Sequence, residues 1–130
     1  MTTIYRLALE TDTPVLEALQ RMSFGTTYPL GFPTVVADRD GVIIGMLSTN
    51  PDSSWALLAG PLAMAFRSPM VLLRMIEAYE FILHQIGVTR YSFAIHNSRL
   101  RWIKQAMRIG AQLIRSDDKN LYFERLLPHS

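Results

Sequence analysis

At 130 residues the chain is long enough for one domain with a single core. It has no cysteine, which excludes disulfides, thiolate metal sites and a cysteine nucleophile, and 49% of it is apolar, which excludes disorder. The net charge is only +2, yet residues 1–65 hold three basic and six acidic side chains against ten and five in residues 66–130.

Thr3 to Leu9 alternates as a first strand. Thr13-Pro14 reads as an N-cap with proline in the first turn of a helix reaching about Met22, with Leu16, Leu19 and Met22 on its buried stripe. Residues 23–33 are too rich in glycine and proline for a regular element, but carry Phe24, Tyr28, Leu30 and Phe32. Such a loop packs as a lid, lines a site or meets a partner, and these four are the expected partner-binding residues. Thr34–Asp38 and Val42–Ser48 form a hairpin, because Asp40-Gly41 supplies the positive φ of a tight turn.

Trp55–Ala65 reads as a long buried strand interrupted at Gly60-Pro61, where a bulge or splayed edge is expected. Ser68-Pro69 opens the longest helix, Met70 to Ile86, stopped by Gly87. Its apolar face is wider than one sheet requires, since Val71, Leu73, Phe81 and Ile82 flank the main stripe. Tyr91, Phe93 and Ile95 alternate as a strand. Asn97 or Ser98 then caps a last helix with Leu100, Ile103 and Met107 at helical spacing, and Gly110 ends it. Ala111–Arg115 and Leu121–Leu127 are strands joined by a polar turn.

From Arg90 to Arg115 there are six basic residues and no acidic one. Arg101, Lys104 and Arg108 fall on one side of the last helix, a basic face open to an anionic partner. His84 reads as solvated, and His96 and His129 have no partner at metal-ligand spacing, so no metal is expected. No serine has the strained setting of a nucleophile. No apolar run reaches the roughly 18–20 residues that span a bilayer, and the first residues lack a leader's basic-then-apolar layout. A cytoplasmic compartment is expected.

The order β α β β β α β α β β resembles the GNAT superfamily of acyl-CoA-dependent N-acyltransferases. The resemblance rests on the Asp-Gly hairpin, the long fourth strand with its Gly-Pro interruption, the helix at 69–86, and Asn97 through Ile109-Gly110-Ala111. It implies a single α/β domain of the α+β type at 1–130, with a mixed, mostly antiparallel sheet of about seven strands and helices on both faces. It also implies that the fourth and fifth strands splay and that coenzyme A lies in the notch. Carried over residue by residue, the cofactor contacts would be Met64, Phe66, Arg67, Ser68 and Asn97. The family's phosphate loop, Gln/Arg-x-x-Gly-x-Gly/Ala, is matched here by Ala63-Met64-Ala65-Phe66-Arg67-Ser68-Pro69-Met70, which has no glycine. Pro69 removes a backbone donor from an anion site. Trp55–Ala65 contains no acid and the last helix has Trp102 but no tyrosine, so no catalytic residue is assigned.

A narrower likeness, over about 55–127, is to the GNAT-like internal virion proteins of podovirus phages. It rests on Trp55, Glu77-Ala78-Tyr79, Asn97 before Arg-Trp-Ile-Lys, and Ile-Gly-Ala. That resemblance implies a non-catalytic structural or assembly component of a virion, in the virion or the host cytoplasm, partnered by other virion proteins or its own copies and holding no cofactor. The alternative is an acetyl-CoA-dependent N-acetyltransferase with a variant phosphate loop. A weaker alternative is a nucleic-acid or host-factor binder using Arg101, Lys104 and Arg108.

Overall fold

The computed structural model describes residues 2–51, 55–60 and 69–127. Strand β1 (Thr3–Leu7) leads through a single 3-10 turn into helix α1 (Thr13–Phe24). Strands β2 (Thr34–Arg39), β3 (Val42–Thr49) and β4 (Ala56–Ala59) follow, then helix α2 (Pro69–Gln85). Strand β5 (Arg90–His96), helix α3 (Leu100–Arg108) and strands β6 (Gln112–Ser116) and β7 (Asn120–Leu126) complete the described chain.

The strands form two antiparallel sheets in the orders β1-β2-β3-β4 and β5-β7-β6. The β2–β3 hairpin turns on Asp40 (φ 52°) and Gly41 (φ 88°), the two positive dihedrals that a two-residue turn of this hand requires. Asp38 Oδ1 accepts the Gly41 N–H at 2.8 Å and locks the turn. Gly87 and Gly110 end their helices at φ 83° and 90°, as read from the sequence.

Helices cover both faces of the four-stranded sheet. Leu16 and Leu19 of α1 pack on Val36, Met46 and Ala59. Leu72, Met75 and Tyr79 of α2 pack on Val35, Ala37 and Leu47 of the opposite face, and the same cluster takes in Tyr91 and Leu127 of the second sheet. Period-2 alternation of the strands makes the two layers possible, since neighbours along β2 and β3 point to opposite faces. Helix α3 closes the second sheet through Ala106 on Phe123, with Phe93 stacked on Phe123 at 5.6 Å between centroids.

Several expectations need correction. Helix α1 begins at Thr13 with Asp12 as its N-cap, because Asp12 is held outside the helix by Arg6 (2.8 Å) and by the Leu9 N–H (2.7 Å). The helix runs two residues past Met22 to Phe24, and Met22 is half exposed while Gln20 takes the buried position. The strand expected over Trp55–Ala65 is regular only over Ala56–Ala59, because Gly60 turns away at φ 114°. The rest of that expectation, beyond Gly60, falls outside the described residues.

In α3 neither Asn97 nor Ser98 is the cap. Arg99 occupies that position without a side-chain hydrogen bond, since Asn97 Nδ2 is spent on Asp118 O (2.9 Å) and Ser98 Oγ on His96 Nδ1 (2.7 Å). Leu100 and Met107 lie outside, and Trp102, Ile103 and Ala106 form the packed stripe instead. On α2, Val71 joins the core whereas Phe81 remains on the surface.

Candidate functional site

Trp55 and Ser92 form one parallel bridge between the two sheets. Beyond it β4 stays with β3 and β5 stays with β7, so the two strands diverge toward their C-terminal ends. Past Trp55 one edge of β4 has no strand partner among the described residues. Its backbone N–H and C=O groups therefore face a gap and can pair with an extended ligand.

That gap is a cleft of about 770 Å³. It passes between the sheets, because its lining residues come from both faces. On the side of α2 and α3 the wall is Leu58, Ile76, Phe93, Trp102, Ala106 and Ile109, with the largely buried Gln105 as its polar group. On the side of α1 it is Ser23, Phe24, Tyr28, Trp55, Ala94 and His96. Alternation along β5 explains the division, since Phe93 and Ile95 look one way and Ala94 and His96 the other.

The α1 side is held in place. Ser23 Oγ accepts the Gly60 N–H at 2.9 Å, fixing the end of β4 to the end of α1. The Tyr28 N–H donates to Oε1 of the fully buried Gln20 at 2.8 Å, and the Tyr28 ring meets Phe24 edge-on at 5.7 Å. Trp55 rests edge-on against Tyr122 at 5.5 Å. Tyr122 is in turn fixed by its hydroxyl donating to Asp117 (2.7 Å) and by the Arg115 guanidinium 3.8 Å above its ring. Donation to Asp117 from the Asn120 N–H, the Tyr122 hydroxyl and the Lys119 N–H holds that carboxyl at about 2, so it stays ionised.

Within the cleft, His96 Nδ1 accepts from the Ser98 N–H (3.2 Å) and bonds the Ser98 hydroxyl (2.7 Å). The neutral ring therefore carries its proton on Nε2 and offers the cleft a donor. Tyr91 contributes its ring, but its hydroxyl donates to Glu80 Oε2 at 2.6 Å. Burial pushes the Tyr91 hydroxyl well above its ordinary value, reinforced by the Glu80 charge. Among the described lining residues Arg99 carries the fixed charge, and no carboxylate is present.

Of the sequence-derived candidates, Phe24 and Tyr28 line the cleft. Met64, Phe66, Arg67 and Ser68 lie outside the described residues. Asn97 is exposed and bound to Asp118, and it does not itself line the cleft, although its neighbours His96 and Ser98 do. Phe24 and Leu30 pack against the α1 core, whereas Tyr28 and Phe32 are exposed, so the loop is half absorbed by its own domain. Arg101, Lys104 and Arg108 are all exposed on α3, as their spacing required, and form no ion pair among the described residues. Sequence reasoning missed Ser23, His96, Ser98 and Gln105 as lining residues. Nothing local distinguishes them, because their role comes from where two distant strands separate.

The fold, with its two sheets joined among the described residues at one parallel bridge, is similar to solved acetyltransferases over most or all of their length. An N-acetyltransferase from Staphylococcus aureus superposes with a TM-score of 0.74 at 11% identity, covering 98% of this chain and 100% of that one. The ribosomal-protein-S18-alanine N-acetyltransferase from Escherichia coli gives 0.74 at 11% identity, over 99% and 96%. A GNAT superfamily phosphinothricin acetyltransferase from Sinorhizobium meliloti, in complex with AcCoA, gives 0.71 at 16% identity, over 98% and 89%. The chain has the GNAT fold. No protein-family model and no curated protein matches the sequence. The likeness is thus one of packing and topology, at low residue identity.

No helix among the described residues is long and apolar enough to cross a membrane, and no group of three or more potential metal ligands occurs among them.

Proposed function

We propose that this protein is an acyl-CoA-dependent N-acyltransferase whose donor and acceptor meet in the cleft between β4 and β5. The observation that carries the reading is the divergence of those strands past the Trp55–Ser92 bridge, which leaves a cleft lined by residues of both faces. The free edge of β4 suits the extended, amide-bearing arm of coenzyme A, and the apolar wall of α2 and α3 suits its methylene groups. The solved enzyme from Sinorhizobium meliloti holds AcCoA in a fold of the same kind, which supports the same ligand here.

In the transfer, the amine lone pair attacks the thioester carbonyl carbon. A C–N bond forms, the C–S bond breaks, and its electron pair leaves on sulfur. The proton released from nitrogen ends on that sulfur, so the products are an amide and a thiol. Donors fixed at the cleft, the free N–H groups of β4 and Nε2–H of His96, stabilise negative charge developing on the carbonyl oxygen. The Tyr91 hydroxyl takes no part, being committed to Glu80.

Calorimetric titration with acetyl-CoA, paired with release of free thiol in the presence of amines, tests the reading. Binding in the micromolar range and amine-dependent thiol release are expected. Ala94 is exposed and lines the cleft, so Ala94→Trp should lower kcat/KM by about tenfold or more with an unchanged melting temperature. Absence of binding at millimolar acetyl-CoA sinks the reading.

A second reading, a non-catalytic component of a virion assembly, draws on residues 63–70, which have no glycine and contain Pro69. The exposed rings of Tyr28 and Phe32 are its candidate contact. It predicts the opposite titration result, together with self-association that Phe32→Ser abolishes.

A further inference from the structure

We infer that the acceptor is an arylamine, an amine whose nitrogen sits directly on an aromatic ring. The inference rests on the transferase reading and concerns the α1 side of the same cleft. Three rings, Phe24, Tyr28 and Trp55, line that side. Each is set before any ligand arrives: Phe24 against Tyr28, the Tyr28 backbone on buried Gln20, and Trp55 against Tyr122. A preset aromatic wall receives a flat aromatic body by stacked or edge contacts without ordering flexible side chains.

The protonation of the cleft selects the same class. The titratable groups of the described lining are Tyr28, Tyr91, His96 and Arg99. The Tyr91 hydroxyl is committed to Glu80. His96 Nδ1 is occupied by Ser98, so with the proton on Nε2 the ring has no free lone pair to take a proton directly from the substrate. An alkylamine arrives as an ammonium, with a pKa of about 10 like that of a lysine, and must lose a proton before it can attack. An arylamine is unprotonated at neutral pH because its lone pair is delocalised into the ring. Its attack on the thioester carbonyl gives the N-aryl amide and the thiol, and the nitrogen's proton is lost only after the C–N bond begins to form. Arg99 disfavours a polyamine by like-charge repulsion, and the described lining offers no carboxylate to offset that.

Two measurements test this. The first compares kcat/KM for para-anisidine, phenethylamine and spermidine with acetyl-CoA between slightly acidic and slightly alkaline pH. Para-anisidine should be preferred over phenethylamine by about tenfold or more at neutral pH, with a flat profile, while phenethylamine should rise about tenfold per pH unit. His96→Gln should leave the para-anisidine profile flat. The inference is overturned if phenethylamine or spermidine is preferred, or if phenethylamine reaches a plateau near neutral pH, which would reveal a base.

The second measurement needs no donor. The chain has two tryptophans, so Trp102→Phe leaves Trp55 as the sole one. Para-anisidine should quench Trp55 fluorescence saturably, and Tyr28→Ala should weaken that binding several-fold. Saturable quenching without acetyl-CoA binding would keep the acceptor site and remove the transferase reading. Acetyl-CoA binding without quenching or arylamine turnover would do the reverse.

Discussion

Glu80→Ala is expected to lower the unfolding free energy by about 3 kcal/mol, read from the urea midpoint. Glu80 on α2 accepts the Tyr91 hydroxyl of β5 at 2.6 Å, and both its oxygens accept from Arg125 of β7, at 3.0 and 3.2 Å. Only 13% of the Glu80 side chain and 19% of Arg125 are exposed, so water replaces the lost carboxylate poorly. The partial exposure of Arg125 places the loss at the lower end of the range for breaking a buried pair. Glu80→Gln keeps an acceptor for Tyr91 and should lose less than half as much. A loss within about 0.5 kcal/mol for Glu80→Ala would mean that the network behaves as an exposed pair.

The same network gives stability an alkaline limit. Burial first, and the Glu80 charge second, raise the Tyr91 hydroxyl well above its ordinary value. A raised pKa means that the folded state keeps the proton after the unfolded chain has begun to lose it. That contribution is complete below the tyrosine range near about 10 and is lost as pH rises through the folded-state value. Tyr91→Phe should flatten the alkaline limb of a stability–pH curve.

Gly60→Ala is expected to lower stability by about 2–4 kcal/mol and to degrade acetyl-CoA binding with it. Gly60 sits at φ 114°, where side chains are strained, and an added Cβ would lie 3.0 Å from Gly45 Cα and 3.1 Å from Ile44 O. Both neighbours are backbone of β3, which cannot rotate aside. The Gly60 N–H also ties β4 to Ser23, so displacing it moves one wall of the cleft. Gly87→Ala is the control, with a positive φ of 83° but nothing within 4 Å of its Cβ. It should cost only the backbone term, about 1–2 kcal/mol. Equal losses at the two positions would show that contact with β3 contributes nothing.

Elements whose signals are local were legible without coordinates. The Asp40-Gly41 turn, the stops at Gly87 and Gly110 and the alternation of β2, β3 and β5 each depend on a few adjacent residues, and each stands where the sequence put it. The order of those elements was enough for the resemblance that the fold bears out. The same local reading erred where a side chain answers to something distant. Asn97 has the chemistry of an N-cap, yet it is spent on Asp118, twenty-one residues away. Leu100 and Met107 have the spacing of a core stripe but face outward, because the second sheet is reached from Trp102 and Ala106.

The cleft belongs entirely to the tertiary structure. An apolar run such as Ala56–Ala59 reads as buried strand whether its neighbour stays beside it or turns away. What decides is that β3 and β7, remote from one another in sequence, each draw one of the two strands into a separate sheet beyond Trp55 and Ser92. Hydrogen-bond pairing between strands has no signature in the spacing of residues along either one. Sequence therefore determined the elements and their order, and long-range pairing decided where the sheet divides and which side chains line the division.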